Sequence, residues 1–116
     1  MAKIIRVAIP TDDGLTVKQQ FRGSRAFVVA TIRKGMIVSQ DLRWNLLSEI
    51  LTRGKGFYYN LAGCDAVIVR EIGSCQGEYL NSLKKKIHFT EEAEIPKVIV
   101  NYLEGIVTTA EEKQSA

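Results

Sequence analysis

Soft metal ligands are scarce in this chain of 116 residues, which has one histidine, His88, and two cysteines, Cys64 and Cys75. A tetrahedral zinc site needs about four such ligands, so any metal chemistry must use an open or shared site. Two cysteines are also too few for a disulfide framework and fit a reducing compartment. At ~3.3 Å per residue of the strand expected between them, they lie roughly 20 Å apart, beyond disulfide reach. Long apolar runs are missing too: the longest hold about five residues, against the ~18 of a membrane span. The opening Met1-Ala2-Lys3-Ile4-Ile5-Arg6 has neither a long apolar stretch nor a cleavage site, so no secretory signal is expected. A large excess of one charge is also absent, since 16 basic against 13 acidic residues leave +3. That balance argues against a dedicated nucleic-acid binder. With 46% hydrophobic and 25% charged residues, the chain reads as one ordinary globular domain, expected to be soluble and cytoplasmic.

Ile4–Ile9 is a short β-branched run, and Pro10-Thr11-Asp12-Asp13-Gly14 is expected to end it as a turn. A polar arm, Leu15 to Arg25, follows with Phe21 as its one aromatic residue. Phe27–Ile32 and Met36–Asp41 flank Arg33-Lys34-Gly35 and predict a β-hairpin. Leu46, Leu47, Ile50 and Leu51 predict one face of a short helix, and Phe57, Tyr58, Leu61 and Ala62 repeat the spacing up to a terminal Gly63. Ala66-Val67-Ile68-Val69 has the continuous apolar pattern of a strand buried on both faces. Ser74 is expected to cap a helix carrying Tyr79, Leu80 and Leu83, with Lys84-Lys85-Lys86 at its negative end. Ile87-His88-Phe89 reads as an edge-like strand, with His88 solvated or hydrogen-bonded. Pro96 opens a last helix whose apolar face is Val98, Ile99, Tyr102 and Leu103. From Thr108 the chain is expected to fray. The order β, β-hairpin, α, β, α, β, α predicts an α/β domain of three layers, α/β/α, around a mixed five-stranded sheet.

In such sheets ligands bind beyond the C-terminal ends of the parallel strands. If the first strand pairs with Ala66–Val69, the loops Pro10–Gly14 and Glu71–Gln76 meet there and offer Thr11, Asp12, Asp13, Gly73, Ser74 and Cys75. The arm residues Gln20, Phe21 and Arg22 leave from the same edge. Cys75, at a helix N-terminus, is a candidate soft-metal ligand; otherwise it is a small residue packed into a tight loop. Cys64 reads as structural. Asp12-Asp13 is a metal-binding pair or, more simply, a pair of turn residues. A two-metal nuclease needs several converging carboxylates, and Asp65 begins its strand at the end opposite Asp12, so that chemistry is poorly supported. Arg53-Gly54-Lys55-Gly56 fails the phosphate-loop pattern but leaves Lys55 as an anion contact. Lys84–Lys86 reads as a helix-end charge run, and Trp44 and Tyr58-Tyr59 as core or interface packing.

Ala8-Ile9-Pro10-Thr11-Asp12-Asp13-Gly14, Phe21 with Arg25-Ala26-Phe27, and Lys34-Gly35-Met36-Ile37-Val38 form a series of landmarks. Gly54-Lys55-Gly56, Gly63-Cys64-Asp65-Ala66-Val67-Ile68, Ile72-Gly73 and Tyr102-Leu103-Glu104-Gly105 continue it. Over residues 4–107 this series resembles the dinitrogenase iron-molybdenum cofactor biosynthesis family, which implies a ribonuclease-H-like fold for residues 1–107 and a polar tail over 108–116. The resemblance implies a non-catalytic carrier or assembly domain for an iron-molybdenum cofactor or iron-sulfur cluster of the nitrogenase-accessory type. Its partners would be cofactor-synthesis or nitrogenase-like proteins, with no nucleic acid and no membrane, and the chain itself a monomer or homodimer. The family has a His-Phe-Gly-Arg segment at the arm, where this chain has Gln20-Phe21-Arg22-Gly23. A histidine- and glycine-rich stretch after the hairpin is replaced by Trp44–Arg53. Cys75 is then the remaining soft ligand, and Thr11, Asp12, Gln20, Arg22, Lys55, Gly73 and Ser74 complete the expected binding set. The competing expectation is an interaction module of the same fold, without metal, using the apolar stretch Trp44–Leu51.

Overall fold

β-branched and aliphatic residues dominate the paired segments. In the computed structural model they form β1 (Ile4–Thr11), β2 (Ala26–Arg33), β3 (Met36–Trp44), β4 (Ala66–Val69), β5 (Lys86–Phe89) and β6 (Thr108–Thr109). Between them run helices α1 (Gly56–Tyr59), α2 (Ser74–Ser82) and α3 (Ile95–Leu103). The structure describes residues 3–45, 56–105 and 108–109. The helix expected on Leu46, Leu47, Ile50 and Leu51, and the basic residues Arg53 and Lys55, lie outside the described residues.

The strands form one mixed sheet in the order β3-β2-β1-β4-β5-β6. β1 is antiparallel to β2 and parallel to β4, and β5 is parallel to β4. The hairpin turns at Lys34 and Gly35, whose φ angles of 54° and 73° are those of a two-residue turn matched to strand twist. Side chains alternate across the sheet and build two cores. Val7, Ile9, Val28, Ala30 and Ile68 pack on one face with Val98 and Ile99 of α3. Ala8, Phe27, Val29, Val67 and Ile87 pack on the other with Leu61 and with Leu80 of α2. All four residues of β4 are buried, as a strand covered on both faces requires. The molecule is thus a three-layer α/β/α domain. No helix among the described residues is long and apolar enough to cross a membrane.

Several local expectations change. Pro10 lies within β1, opposite Phe27, and does not end the strand. Its carbonyl accepts the Lys18 N–H at 2.8 Å. Both polar groups of a strand residue point to one side, so the donor-less nitrogen of Pro10 also faces the arm and costs no ladder bond. Gly73, not Ser74, holds the N-cap position of α2, with no side-chain capping bond. The lysines do not close that helix: it stops at Ser82, Lys84 turns away with φ 61°, and Lys86 begins β5. His88 is buried, its ring edge-on to Tyr102 of α3 at 5.3 Å, and β6 pairs along the flank of β5, Thr108 with Phe89 and Thr109 with His88. β6 is a two-residue addition to the five expected strands, set where the sequence predicts fraying.

The decisive connection is the arm. It crosses the C-terminal ends of β1, β4 and β5 as a strap, hydrogen-bonded on both sides. Near α3, Val17 N–H donates to the Ala93 carbonyl at 2.8 Å, and Ile95 N–H to the Leu15 carbonyl at 3.1 Å. Near α2, Phe21 N–H donates to the Glu71 carbonyl at 3.0 Å, and Gln20 bridges Glu71 in parallel. Val17 is buried in the first core and Phe21 in the second, so each end of the strap is held by an apolar anchor.

Candidate functional site

The strap divides the strand-end surface into two halves. On the α3 side the turn after β1 satisfies its own polar groups. The buried Thr11 donates its Oγ1 hydrogen to the Thr16 carbonyl at 2.6 Å and accepts the Gly14 N–H at 2.9 Å. Asp13 accepts the N–H groups of Leu15 and Thr16, each at 2.8 Å. Those backbone bonds, from Thr16 first and then Leu15, hold its carboxyl at about 2, from an ordinary 3.8. Asp12 accepts Lys18 Nζ at 2.6 Å and the Arg25 N–H at 3.1 Å. Burial works to raise the Asp12 pKa, but Lys18 and Arg25 prevail and leave it lowered. Of the two readings of Asp12-Asp13, the geometry is that of turn residues. Asp65 stands at the far end of the sheet, where it accepts the Arg6 N–H at 2.9 Å, so it does not converge with Asp12.

On the α2 side the strap leaves an open pocket of about 360 Å³, lined by Gln20, Phe21, Arg22, Glu71, Ile72, Gly73 and Gln76. That volume falls in the ~300–1,000 Å³ range of small-ligand sites. Its floor is the buried Phe21, whose ring stacks at a tilt on Phe27 and Tyr58, with centroids 5.8 and 6.0 Å away. Gln20 and Arg22 are exposed above that floor. Glu71 is held by Gln19, whose Nε2 donates to Oε1 at 2.9 Å. Gln76 lies in the first turn of α2 and folds back so closely over Gly73 that a Cβ on Gly73 would collide with its Oε1. A side chain at position 73 would therefore displace the Gln76 amide from its place over the helix start.

Of the expected set, the pocket gathers Gln20, Arg22 and Gly73. Thr11 and Asp12 belong to the closed half. Ser74 and Cys75 are exposed in the first turn of α2, beside the lining rather than in it. Cys75 is not packed into a tight loop, and Lys55 lies outside the described residues. Gln76 and Glu71 were not among the expected binding residues; the available signal was spacing, because residues 73 and 76 share a face of the first helical turn. Tyr58 stands edge-on to Tyr79 at 4.5 Å, and burial, with Tyr79 and Cys75 nearby, raises its pKa. Cys64 is buried, and burial first of all pushes its thiol up. Arg43 Nη1, which donates to the Asn60 and Ala62 carbonyls at 2.8 and 3.0 Å, lies 3.9 Å from the Cys64 sulfur. Its surroundings are those of a structural residue.

No group of three or more His, Cys, Asp or Glu side chains among the described residues is placed to hold a metal ion. The pocket instead presents one guanidinium, one carboxylate (Glu71, held by the Gln19 amide), two side-chain amides and a helix start. That set offers polar and charged contacts to a ligand rather than several ligating groups for one metal ion.

Fold and pocket together define an α/β domain with an open, partly polar pocket at its strand ends. The chain belongs to the dinitrogenase iron-molybdenum cofactor family, whose sequence profile matches residues 3–105. No curated protein matches it. It is similar to the structure of a protein provisionally described as a dinitrogenase from Methanocaldococcus jannaschii, at 19% identity and a TM-score of 0.75, covering 95% of this chain and 98% of that one. A protein provisionally described as NifB from Thermotoga is similar at 20% identity and a TM-score of 0.72, covering 90% of this chain and 92% of that one. The apo form of the orange protein from Desulfovibrio gigas is similar at 18% identity and a TM-score of 0.70, covering 95% and 96%. At these identities the likeness is one of fold.

Proposed function

We propose that this chain is a non-catalytic carrier or assembly domain whose cargo is an anionic metal-sulfur cofactor, either an iron-molybdenum cofactor or an iron-sulfur cluster. The observation that carries the reading is the pocket in which Gln20, Arg22, Gly73 and Gln76 meet, in a chain of a cofactor-related family. Arg22 supplies the positive charge against the one carboxylate of the lining, Glu71, which Gln19 holds, and the amide N–H groups of Gln20 and Gln76 supply directional donors. The backbone N–H groups at the start of α2 add partial positive charge. Cys75 is the single soft anchor, on the exposed first turn beside the pocket. Glutamine at position 20 replaces a soft nitrogen ligand with a hydrogen-bond donor, so capture by charge takes the place of ligation. Two free thiols suit a reducing compartment, and the cytoplasm is the proposed setting, with cofactor-synthesis or nitrogenase-like proteins as partners.

The test is anaerobic addition of isolated cofactor, or reconstitution with iron and sulfide, followed by gel filtration. Retained metal and visible absorbance, diminished in Arg22→Gln and Cys75→Ser, are expected. Absence of both retention and Cys75-dependent absorbance overturns the proposal. A second reading, an interaction module without cargo, draws on Trp44, which is 47% exposed on edge strand β3. Self-association lost in Trp44→Ser, in a chain that retains no cofactor, would favour it.

A further inference from the structure

The end of the sheet opposite the pocket is where β1, β3, β4 and β5 start and β2 finishes. The register places Ile4 beside Arg33, Arg33 beside Met36, and Ala66 beside Lys86. Lys3, Arg33, Lys34, Lys84 and Lys86 are all exposed there. None of the five is in an ion pair with a described residue. Asp65 and Glu104 are the carboxylates at this end among the described residues, and Asp65 is already engaged by the Arg6 N–H. Asp12, Asp13, Glu71 and Glu94 lie at the other end, with the strap. Among the described residues this end is therefore electropositive, although the net charge of the chain is only +3.

Apolar side chains are interleaved with these cations. Ile4 and Met36, at the starts of β1 and β3, and Leu83, just after α2, are 46%, 65% and 41% exposed. From β3 across to β5 the row spans roughly 19 Å at ~4.8 Å per strand, about the reach of six extended residues. Nucleic-acid surfaces combine cations with stacking aromatics, but the exposed Trp44 is at the pocket end of β3. Apolar contacts ringed by charge, with few carboxylates to oppose them, have the anatomy of a protein interface for an acidic partner.

We propose that the strand-start end of the sheet docks an acidic protein segment, its carboxylates on Lys34, Lys84 and Lys86 and its apolar side chains on Ile4, Met36 and Leu83. The pocket, at the other end, stays open while this surface is covered. The docking surface stands independently of what the pocket holds.

Two labelled twelve-residue peptides test it against the full chain by fluorescence anisotropy: Glu-Glu-Leu repeats and an all-glutamate control. Burial of even one leucine predicts at least about tenfold tighter binding of the repeat peptide. Amide shifts on the native chain should centre on Lys3, Ile4, Arg33–Met36 and Leu83–Lys86. The triple change Lys34→Glu, Lys84→Glu and Lys86→Glu should abolish the binding, whereas Lys97→Glu at the pocket end should leave it unchanged. Met36→Ser with Leu83→Ser should bring the two peptides to equal affinity. Equal binding of both peptides to the native chain overturns the proposal. So do shifts centred elsewhere, or tighter binding to phosphatidylserine vesicles or a twelve-nucleotide single strand.

Discussion

The two halves of the strand-end surface are made from similar polar residues, and the strap serves them differently. On the α3 side, Thr11, Asp12 and Asp13 are bonded to Thr16, Lys18, Leu15 and Arg25 within the same stretch of chain, so few polar groups remain for a ligand. On the α2 side the backbone pairs with Glu71 while Gln20 and Arg22 stay exposed over an aromatic floor. Polar side chains thus stabilise the strap in one half and are left exposed at a pocket in the other. A motif such as Asp12-Asp13 acquires its role from which half it occupies.

The comparison can be broken most severely at the anchor shared by strap and pocket. Phe21→Ala removes a fully buried ring and should cost about 3–5 kcal/mol, read from urea denaturation, with loss of the pocket floor. If stability barely changed, the strap would not be held by its apolar anchors. Thr11→Val strands the Thr16 carbonyl and the Gly14 N–H, and should cost about 1–3 kcal/mol while sparing ligand binding. The closed half should also respond to acid. Asp13 has a folded pKa of about 2 and an ordinary value of 3.8. Its contribution to stability is therefore complete above the unfolded value and is lost as pH falls from that value through about 2. Asp13→Asn should flatten that part of a pH series of denaturation midpoints. The smallest stability effect belongs to the open half: Arg22→Gln should stay within about 0.5 kcal/mol. It should nonetheless sharply lower cofactor retention. An Arg22 variant that unfolds, or one that retains cofactor unchanged, would erase the distinction between the halves.

Regular elements were legible in sequence wherever one local pattern matched one environment. The apolar run at Ala66–Val69 is a strand covered on both faces, and Lys34-Gly35 turns the hairpin. The path of the strap was not legible, because Leu15–Arg25 is polar, lacks periodicity and takes its shape from partners such as Ala93 and Glu71. Gln20, Arg22 and Gly73 could be picked out as candidates, but Gln76 could not, since its part depends on folding back over Gly73. Thr11 and Asp12 suggested a ligand by residue type, and only their hydrogen-bond partners showed them to be occupied.

The shortage of histidine and cysteine is a property of the sequence alone. It leaves the chain too few soft ligands to build a four-ligand metal site from histidine and cysteine alone. The alternating and continuous apolar runs likewise determine the layers, because burial of those faces dominates the local choices. The tertiary structure decided where the polar residues act. A side chain's availability depends on whether folding brings a partner within hydrogen-bond distance, and here those partners come from the strap and its flanking turns. A near-neutral composition became a molecule with an open polar pocket at one end of its sheet and a cationic surface at the other. Composition sums charge over the chain, whereas strand register places it.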